Sequence, residues 1–467
     1  MQLQKLSKIM LMVVLAAFTT KTEAQERHAF SAKQSVEYAV KNSVQVKNAL
    51  LDVKIQEQTN REITAAAYPQ LNGSIGSTYY PNVAVQSFPN FIAQGTYGVL
   101  DAEGVKDGSG NPIKSPSDFG FIQAQFGTKW VANAGVTLSQ ILFDGQVFVG
   151  LQARETAMAF SDKSREVTEE NIKANVYKVY YSLIASKTQV TLLDANLDRL
   201  NKLQHDTKIM FDNGFAEKLD INKIEVQISN VETQKLKTLN SVNNGFLGLK
   251  LLMGMPIKDS LILTDTLTYN QIREGLLESE NFRYEDRKEF QFLELNRKLN
   301  EFNIKRYKMT YMPTANLNAG YNKNAQRNQW DFLTGDYFTS SYVGLSINIP
   351  IFDGFAKDAR IKKSKFELQK TVNQMDNLKI SIDNDIAQAR ANFAAAIATL
   401  DNQRKNMTLA ENVYDQTKKK FEIGTGSNTE ITSAQTDLQQ AQTNFVQALY
   451  DAIVAKVDYF KATGKLQ

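Results

Sequence analysis

QILFDGQ at residues 140–146 and PIFDGFA at residues 350–356 share an apolar-apolar-Phe-Asp-Gly core, about 210 positions apart in a chain of 467 residues. That spacing makes an internal repeat the first reading to test. FDNGFAEKLD (211–220) aligns with FEIGTGSNTE (421–430), and LLMGMP (251–256) with KATGKL (461–466), each pair offset by 210 residues. Upstream, AAAYPQLNGSIG (65–76) echoes KMTYMPTANLNAG (308–320) at a larger offset, because a long Gly-, Pro-, Ser- and Asn-rich stretch at 81–126 has only a short counterpart at 322–341. Both stretches read as surface loops.

Each half carries two stretches of period-2 alternation. Leu71, Gly73, Ile75, Ser77 and Tyr79 alternate with Gln70, Asn72, Ser74, Gly76 and Thr78, and Trp130, Ala132, Ala134, Val136 and Leu138 with small or polar neighbours. In the second half Ala315, Leu317, Ala319 and Tyr321 do the same, and Val343, Leu345, Ile347 and Ile349 face away from Tyr342, Gly344, Ser346 and Asn348. Four strands follow, each with one apolar and one polar face.

Helical periodicity fills the rest, over roughly 150–211, 219–252, 355–421 and 429–460, with shorter segments near 31–66 and 284–307. The third of these would reach on the order of 100 Å. Its seam is heptad-spaced: Ile361, Leu368, Met375, Ile382, Ala389 and Ala396 form one row, and Ile386, Phe393, Leu400, Met407, Tyr414 and Phe421 another. After the break at Gly424 the partner carries Ile431, Leu438, Phe445, Ala452 and Tyr459, beside an alanine row at 434, 441, 448 and 455. A period of seven calls for coiled-coil packing, and alanine allows close approach.

The repeated FDG stands where a strand ends and a helix begins. Asp144 and Asp353 are placed to cap backbone donors, Gly145 and Gly354 to take the turn, and Pro350 to end a ladder. A catalytic aspartate would need a His, Lys or second carboxylate beside it, and neither copy has one. No phosphate-binding loop or dinucleotide fingerprint is present.

A formal net charge of +4 with interspersed signs names no nucleic-acid or acidic partner. The absence of cysteine removes disulfides, thiolate chemistry and cysteine-rich zinc sites. His28 and His205 are the only histidines and lie far apart in sequence, so no metal, cofactor or catalytic residue is expected. Lys5 and Lys8 precede an apolar stretch at 9–18, and Thr22-Glu23-Ala24 offers a cleavage site, which reads as a signal peptide over 1–24. No later apolar run approaches the ~18 residues of a spanning helix, so any membrane crossing must use strands.

Four strands cannot close a barrel alone, and an open sheet in lipid leaves unpaired edges, so several copies are needed. Three copies would give twelve strands, with the apolar rows toward lipid and the Asn, Ser, Gly and Thr rows toward water.

ILFDG, PIFDG, FDNG, FEIGTG, LLMGMP and the terminal YFKATGKL, in this order and at this offset, resemble the TolC family of outer-membrane channels, and the resemblance covers essentially the whole mature chain. It implies a mainly α protein with a small β part: a homotrimeric twelve-stranded outer-membrane barrel continued by a long periplasmic α-helical barrel. The repeats would occupy 25–257 and 284–467, joined by an equatorial linker at 258–283. The implied function is the outer-membrane component of a tripartite efflux or type I secretion system, partnered by a periplasmic adaptor and an inner-membrane RND or ABC pump. Carried over residue by residue, Glu430 falls on the first acidic position of a periplasmic constriction, Asp220 on its equivalent in the first repeat, and Ser433 where some members have a second acid. Gly426 stands where some carry a bracing arginine. Gly214, Phe215, Gly424, Gly426 and Ser427 sit in the helix tips that meet the adaptor.

Read without the family, Ser427-Asn428-Thr429-Glu430 is a capping box and Asp220 a first-turn carboxylate. Capping and pore lining are compatible. The competing reading in another class is an exported coiled-coil scaffold or adhesion protein, which the alternating strands do not suit. A compact periplasmic binding protein or enzyme does not suit heptads this long.

Overall fold

The computed structural model describes residues 27–266, 269, 272, 282–332 and 335–466. The proposed signal peptide lies outside them, as does most of 267–281. In chain order the elements begin with β1 (Arg27–Phe30), α1 (Ala32–Asn42), α2 (Val44–Ala65), β2 (Gln70–Tyr79), β3 (Val85–Pro89), α3 (Phe91–Ala102), β4 (Phe121–Gln125) and β5 (Trp130–Phe143). They continue with α4 (Gly145–Asp212), α5 (Lys218–Met253), β6 (Ser260–Leu263), α6 (Lys288–Met309), β7 (Thr314–Arg327), β8 (Phe338–Asn348), α7 (Ala356–Glu422) and α8 (Asn428–Ala462). The fold is mainly helical, and no described helix is long and apolar enough to cross a membrane. Two compact units form, one from Met1–Gln58, Arg154–Glu301 and Lys365–Gln467, the other from Thr59–Ala153 and Phe302–Ser364.

The second unit holds a four-stranded antiparallel sheet in the order β2-β5-β7-β8. All four alternating stretches of the sequence are strands of this one sheet. Register puts Leu71, Leu138, Ala319 and Val343 side by side, with Asn72, Thr137, Gly320 and Tyr342 in the row that points the other way. The pleat therefore keeps the apolar rows on one face, because side chains alternate along each strand as far as the irregularity in β5 between Ile141 and Phe143. That face is uncovered in the single chain: Ile75 is 92% exposed, and Leu71, Val343, Leu345 and Ile347 are also exposed. Among the described residues each outer strand, β2 and β8, pairs on one side only.

The stretch 81–126 is not a plain loop. It forms a two-stranded antiparallel pair, β3 with β4, bracketing α3. Asn90 caps α3 by accepting from the Ala93 N–H at 3.0 Å, and Tyr97 packs against Phe119 and Phe88 against Phe126. These are the aromatic residues that distinguish the stretch from a polar linker.

The two FDG copies do start helices, but by different paths. Asp144 accepts from the Gln146 N–H at 2.8 Å, and Gly145 is already the first residue of α4. Gly145 does not take a left-handed turn. A Cβ there would lie 2.7 Å from Cβ of Met309, so the glycine serves close packing, which corrects the expectation. In the second copy Gly354 does turn, with φ of 66°, and Phe355 follows at 67°. A side chain in that region is strained by roughly 1–2 kcal/mol. Asp353 accepts from the Lys357 N–H at 2.9 Å, and Pro350 lies just past the end of β8.

In the first unit the heptad rows are the core. Met375, Ile382 and Ala389 of one row, Phe393, Leu400, Tyr414 and Phe421 of the other, and Ile431, Leu438 and Ala452 of α8 are buried, as are Ala434, Ala441 and Ala448. A separate cluster packs α1 with α4, α5 and the short parallel pair β1–β6. Tyr180, fully buried, closes that pair by donating to the Phe30 carbonyl at 2.9 Å and accepting from the Asp265 N–H at 3.2 Å.

The helical segment expected near 31–66 is broken at Ser43, whose ψ of 133° leaves helical space. The cause is in α5. Gly254, which ends that helix, packs so closely that a Cβ would stand 2.4 Å from the Asn42 carbonyl oxygen.

Four helix ends, at Gly214, Gly254, Gly424 and Gly464, share one geometry with φ between 69° and 81°. In each, the residue after glycine donates to the carbonyl five back, as Phe215 does to Met210 and Thr425 to Lys420. This is the Schellman stop, and its recurrence at the same offset shows the duplication in the backbone itself. Gly254 and Gly464 have a carbonyl oxygen within 2.6 Å of a Cβ position, whereas Gly214 and Gly424 have open space. Alanine at Gly214 or Gly424 is expected to cost about 1 kcal/mol from φ alone. Alanine at Gly254 should cost at least twice that in thermal unfolding of the detergent-solubilised protein, and equal costs at the two sites would refute the packing explanation.

Candidate functional site

The residues singled out at the helix tips come together as two adjacent turns of the first unit. After the Schellman stops at Gly214 and Gly424 the chain re-enters a helix within a few residues, and the returning helices are capped by carboxylates. Glu430 accepts from the Ser427 N–H at 3.4 Å while Ser427 Oγ accepts from the Glu430 N–H at 3.1 Å. Asp220 accepts from the Glu217 N–H at 3.1 Å. Each cap satisfies donors that a helix start would otherwise leave open.

The two turns are tied by Asn428, whose Nδ2 donates to the Asp220 carbonyl at 3.3 Å. Gly426 and Thr425 crowd the end of α7, both N–H groups donating to the Lys420 carbonyl at 3.0 Å. No arginine is available at position 426 to brace the turns. Glu430 and Ser433 are exposed and Asp220 half-buried. Phe215 and Ile423 project from the two turns into solvent.

Behind the tips lies a feature that the apolar heptads did not reveal. Asn196 of α4, 1% exposed, donates to Gln442 at 3.1 Å and accepts from Gln435 at 2.8 Å and from Arg199. Further along, Gln189 donates to Thr443 at 3.1 Å, Gln227 to Thr436 at 3.2 Å and Gln439 to Gln234 at 3.1 Å. The hairpin α4–α5 is thus stitched to α8 by neutral amides and hydroxyls. A polar heptad row, Asn428, Gln435 and Gln442, was the available signal.

A charged joint forms where α8 ends. The buried Arg287 guanidinium donates to the Ala462 carbonyl at 2.9 Å and pairs with Glu289 at 3.1 Å. Glu170 is buried nearby. Burial first, and the Glu289 carboxylate second, hold its carboxyl above the ordinary glutamate range against the pull of Lys288, Arg287 and Lys461. Glu289 sits below that range, because the Arg287 hydrogen bond and charge outweigh its own burial.

His28 lies 3.7 Å from Asp259 and packs between Phe30 and Tyr38, and His205 is exposed on α4. Among the described residues no group of three or more His, Asp or Glu side chains gathers as a metal site.

Residues 285–465 match the family described as Outer membrane efflux protein. Outer membrane protein TolC of Vibrio cholerae is 20% identical over 340 residues, covering 72% of this chain and 77% of that protein. Outer membrane efflux protein BepC of Brucella suis is 23% identical, covering 71% and 72%. Proteases secretion protein PrtF of Dickeya chrysanthemi is 19% identical, covering 64% and 65%. Among solved structures, the channel protein CusC superposes with a TM-score of 0.72 at 15% identity, covering 96% of this chain and 95% of that one. The Campylobacter jejuni CmeC outer membrane channel gives 0.70 at 14%, covering 96% and 90%.

Replacing Asn196 with alanine strands Gln435, Gln442 and Arg199 without their shared partner. The expected cost is on the order of 2–3 kcal/mol. Ser433→Ala, at an exposed position, should change stability by no more than about 0.5 kcal/mol. Thermal unfolding of the two variants side by side checks both, and a neutral Asn196→Ala would show that the seam is not energetically connected.

Proposed function

We propose that this chain, whose residues 285–465 match the outer membrane efflux protein family, resides in the outer membrane with a periplasmic portion and that three copies of it form one channel for efflux or secretion. The observation that carries this reading is the open four-stranded sheet with an uncovered apolar face and two half-paired outer strands. In lipid each unpaired backbone group costs several kcal/mol, so β8 of one copy must pair with β2 of the next. Two copies would give eight strands, an interior that side chains fill. Three give twelve, with a polar lumen lined by the Asn, Ser, Gly and Thr rows. The exposed aromatics Phe352 and Phe355 at the strand-to-helix junction suit the membrane boundary, where such side chains favour the headgroup level.

The long helices then continue the conduit into the periplasm, and the tips close it. Glu430 and Asp220, repeated three times, form a ring of fixed negative charge while still capping their helices. Ser433 makes this a single acidic ring per repeat, weaker than a double one. Gly214, Phe215, Gly424, Gly426 and Ser427 form the turns that a periplasmic adaptor would grip, with Phe215 and Ile423 as its apolar anchors. An inner-membrane pump of the RND or ABC class would supply the energy, since no nucleotide-binding motif lies in this chain.

A fixed acidic ring attracts cations and repels anions. The purified protein in planar bilayers should therefore conduct with cation preference. The double variant Asp220→Asn, Glu430→Gln keeps an acceptor oxygen at each cap, so the fold survives while the preference weakens and conductance shifts. Anion selectivity in the unaltered protein would contradict the acidic constriction, and selectivity unchanged in the variant would leave the two carboxylates as helix caps only.

A further inference from the structure

The insertion at 81–126 has only a short counterpart in the second repeat, and it carries an apolar surface left uncovered among the described residues. From Phe91 to Leu100 α3 contains no charged residue. Its inner side is held by Tyr97 against Phe119, while Phe91 and Ile92 are exposed and Val99 is 63% exposed. A second patch lies where the β7–β8 connection meets β8: Trp330 of the connection is 62% exposed, and Phe338, the first residue of β8, is 69% exposed. Apolar patches rimmed by polar residues on a folded surface mark contact sites.

Strand order relates the two patches. Tyr79 pairs with Trp130 and Trp130 with Arg327, so the β2–β5 insertion and the β7–β8 connection leave the same end of the sheet. With strands spaced 4.7–4.9 Å, the connection stands two spacings, roughly 10 Å, from the insertion of its own copy. In a ring closed by β8 against β2 of the next copy, it stands the same distance from the next copy's insertion. The side toward its own copy is already occupied. Phe332 packs on Trp130 at 6.2 Å between ring centres, and Asn328 accepts from the Lys129 N–H at 3.4 Å. Phe338 belongs to β8, the outer strand that faces the neighbour.

We propose that the insertion of one copy packs through Ile92 and Val99 against Trp330 and Phe338 of the adjacent copy, making an apolar collar around the strand ends that locks the copies together. This rests on the trimer reading. The occupant is a second copy of this chain rather than a lipid headgroup or an acidic polymer, because the Arg327 guanidinium beside the second patch is already paired with Asp331 and the Asp336 carbonyl and because the contact continues the β8–β2 seam.

The chain has no cysteine, so paired cysteines report on the contact without background. The variant Val99→Cys, Trp330→Cys and a second pair, Ile92→Cys, Phe338→Cys, would be treated in detergent with a bis-maleimide of about 10 Å reach, matching the two-strand separation. Each pair should give covalent dimers and trimers on denaturing gels, and each single-cysteine variant only monomers. Linked species from Val99→Cys alone would mean that the insertions meet one another, and monomers carrying an internal link would mean that each insertion folds onto its own copy. Either result overturns the proposal. Unlinked chains in a particle that is three chains by mass also overturn it, whereas a particle that is one chain by mass removes the trimer beneath it.

Discussion

A strand edge in hydrocarbon has no water to satisfy its N–H and C=O groups, at several kcal/mol for each group left open. In this chain the constraint falls on β2 and β8, which each pair on one side only. Much of the rest follows from meeting it. The apolar rows share one face because each of the three antiparallel pairings sets apolar positions opposite one another, as in Leu71, Leu138, Ala319 and Val343. In the first repeat β5 ends at Phe143 and α4 starts at Gly145, with Asp144 capping at once, whereas in the second β8 ends at Asn348 and Asp353 caps the start of α7 after a short connection. The second repeat achieves the same exit with two consecutive left-handed residues, one of them Phe355, at some cost in strain.

The tips show how a carboxylate serves the start of a helix. Glu430 and Asp220 sit in the first turn of a helix, where a carboxylate is favoured by the exposed N–H groups and the dipole. That preference places an acid at the turn whether or not a pore needs one. The two turns are held together by an apolar cluster that includes Leu203, Ile224, Phe421 and Ile431, to which the Asn428 contact and the amide seam around Asn196 add neutral hydrogen bonds. Neutral hydrogen bonds of this kind are little affected by salt, and each buried amide left without its partner is costly. The seam thereby fixes the register between α4 and α8 that the smooth alanine row would leave free to slide.

The sequence disclosed the features that repeat locally. Period-2 alternation gave β2 its full range, Gln70 to Tyr79, and heptads identified the buried rows of α7 and α8. S-x-x-E at 427–430 announced a capping box that the structure contains. The parallel pair β1–β6 escaped notice because each strand has only four residues and its partner is more than two hundred positions away. The break at Ser43 escaped because its cause, the approach of Gly254, is tertiary. Gly145 reads as a turn residue in the sequence for the same reason: a glycine needed for contact with Met309 looks identical there to one needed for φ. The buried glutamines of α8 carry no apolar signal, and only their heptad spacing hinted at burial.

The most direct test of the account is the mass of the intact particle extracted from the outer membrane in mild detergent, measured by native mass spectrometry across a dilution series. Three chains per particle, persisting on dilution, is the predicted result, since the sheet then has no open edge. A stable single chain that retains its folded sheet in detergent would contradict the claim that closure of β8 on β2 of a neighbour is what this fold requires.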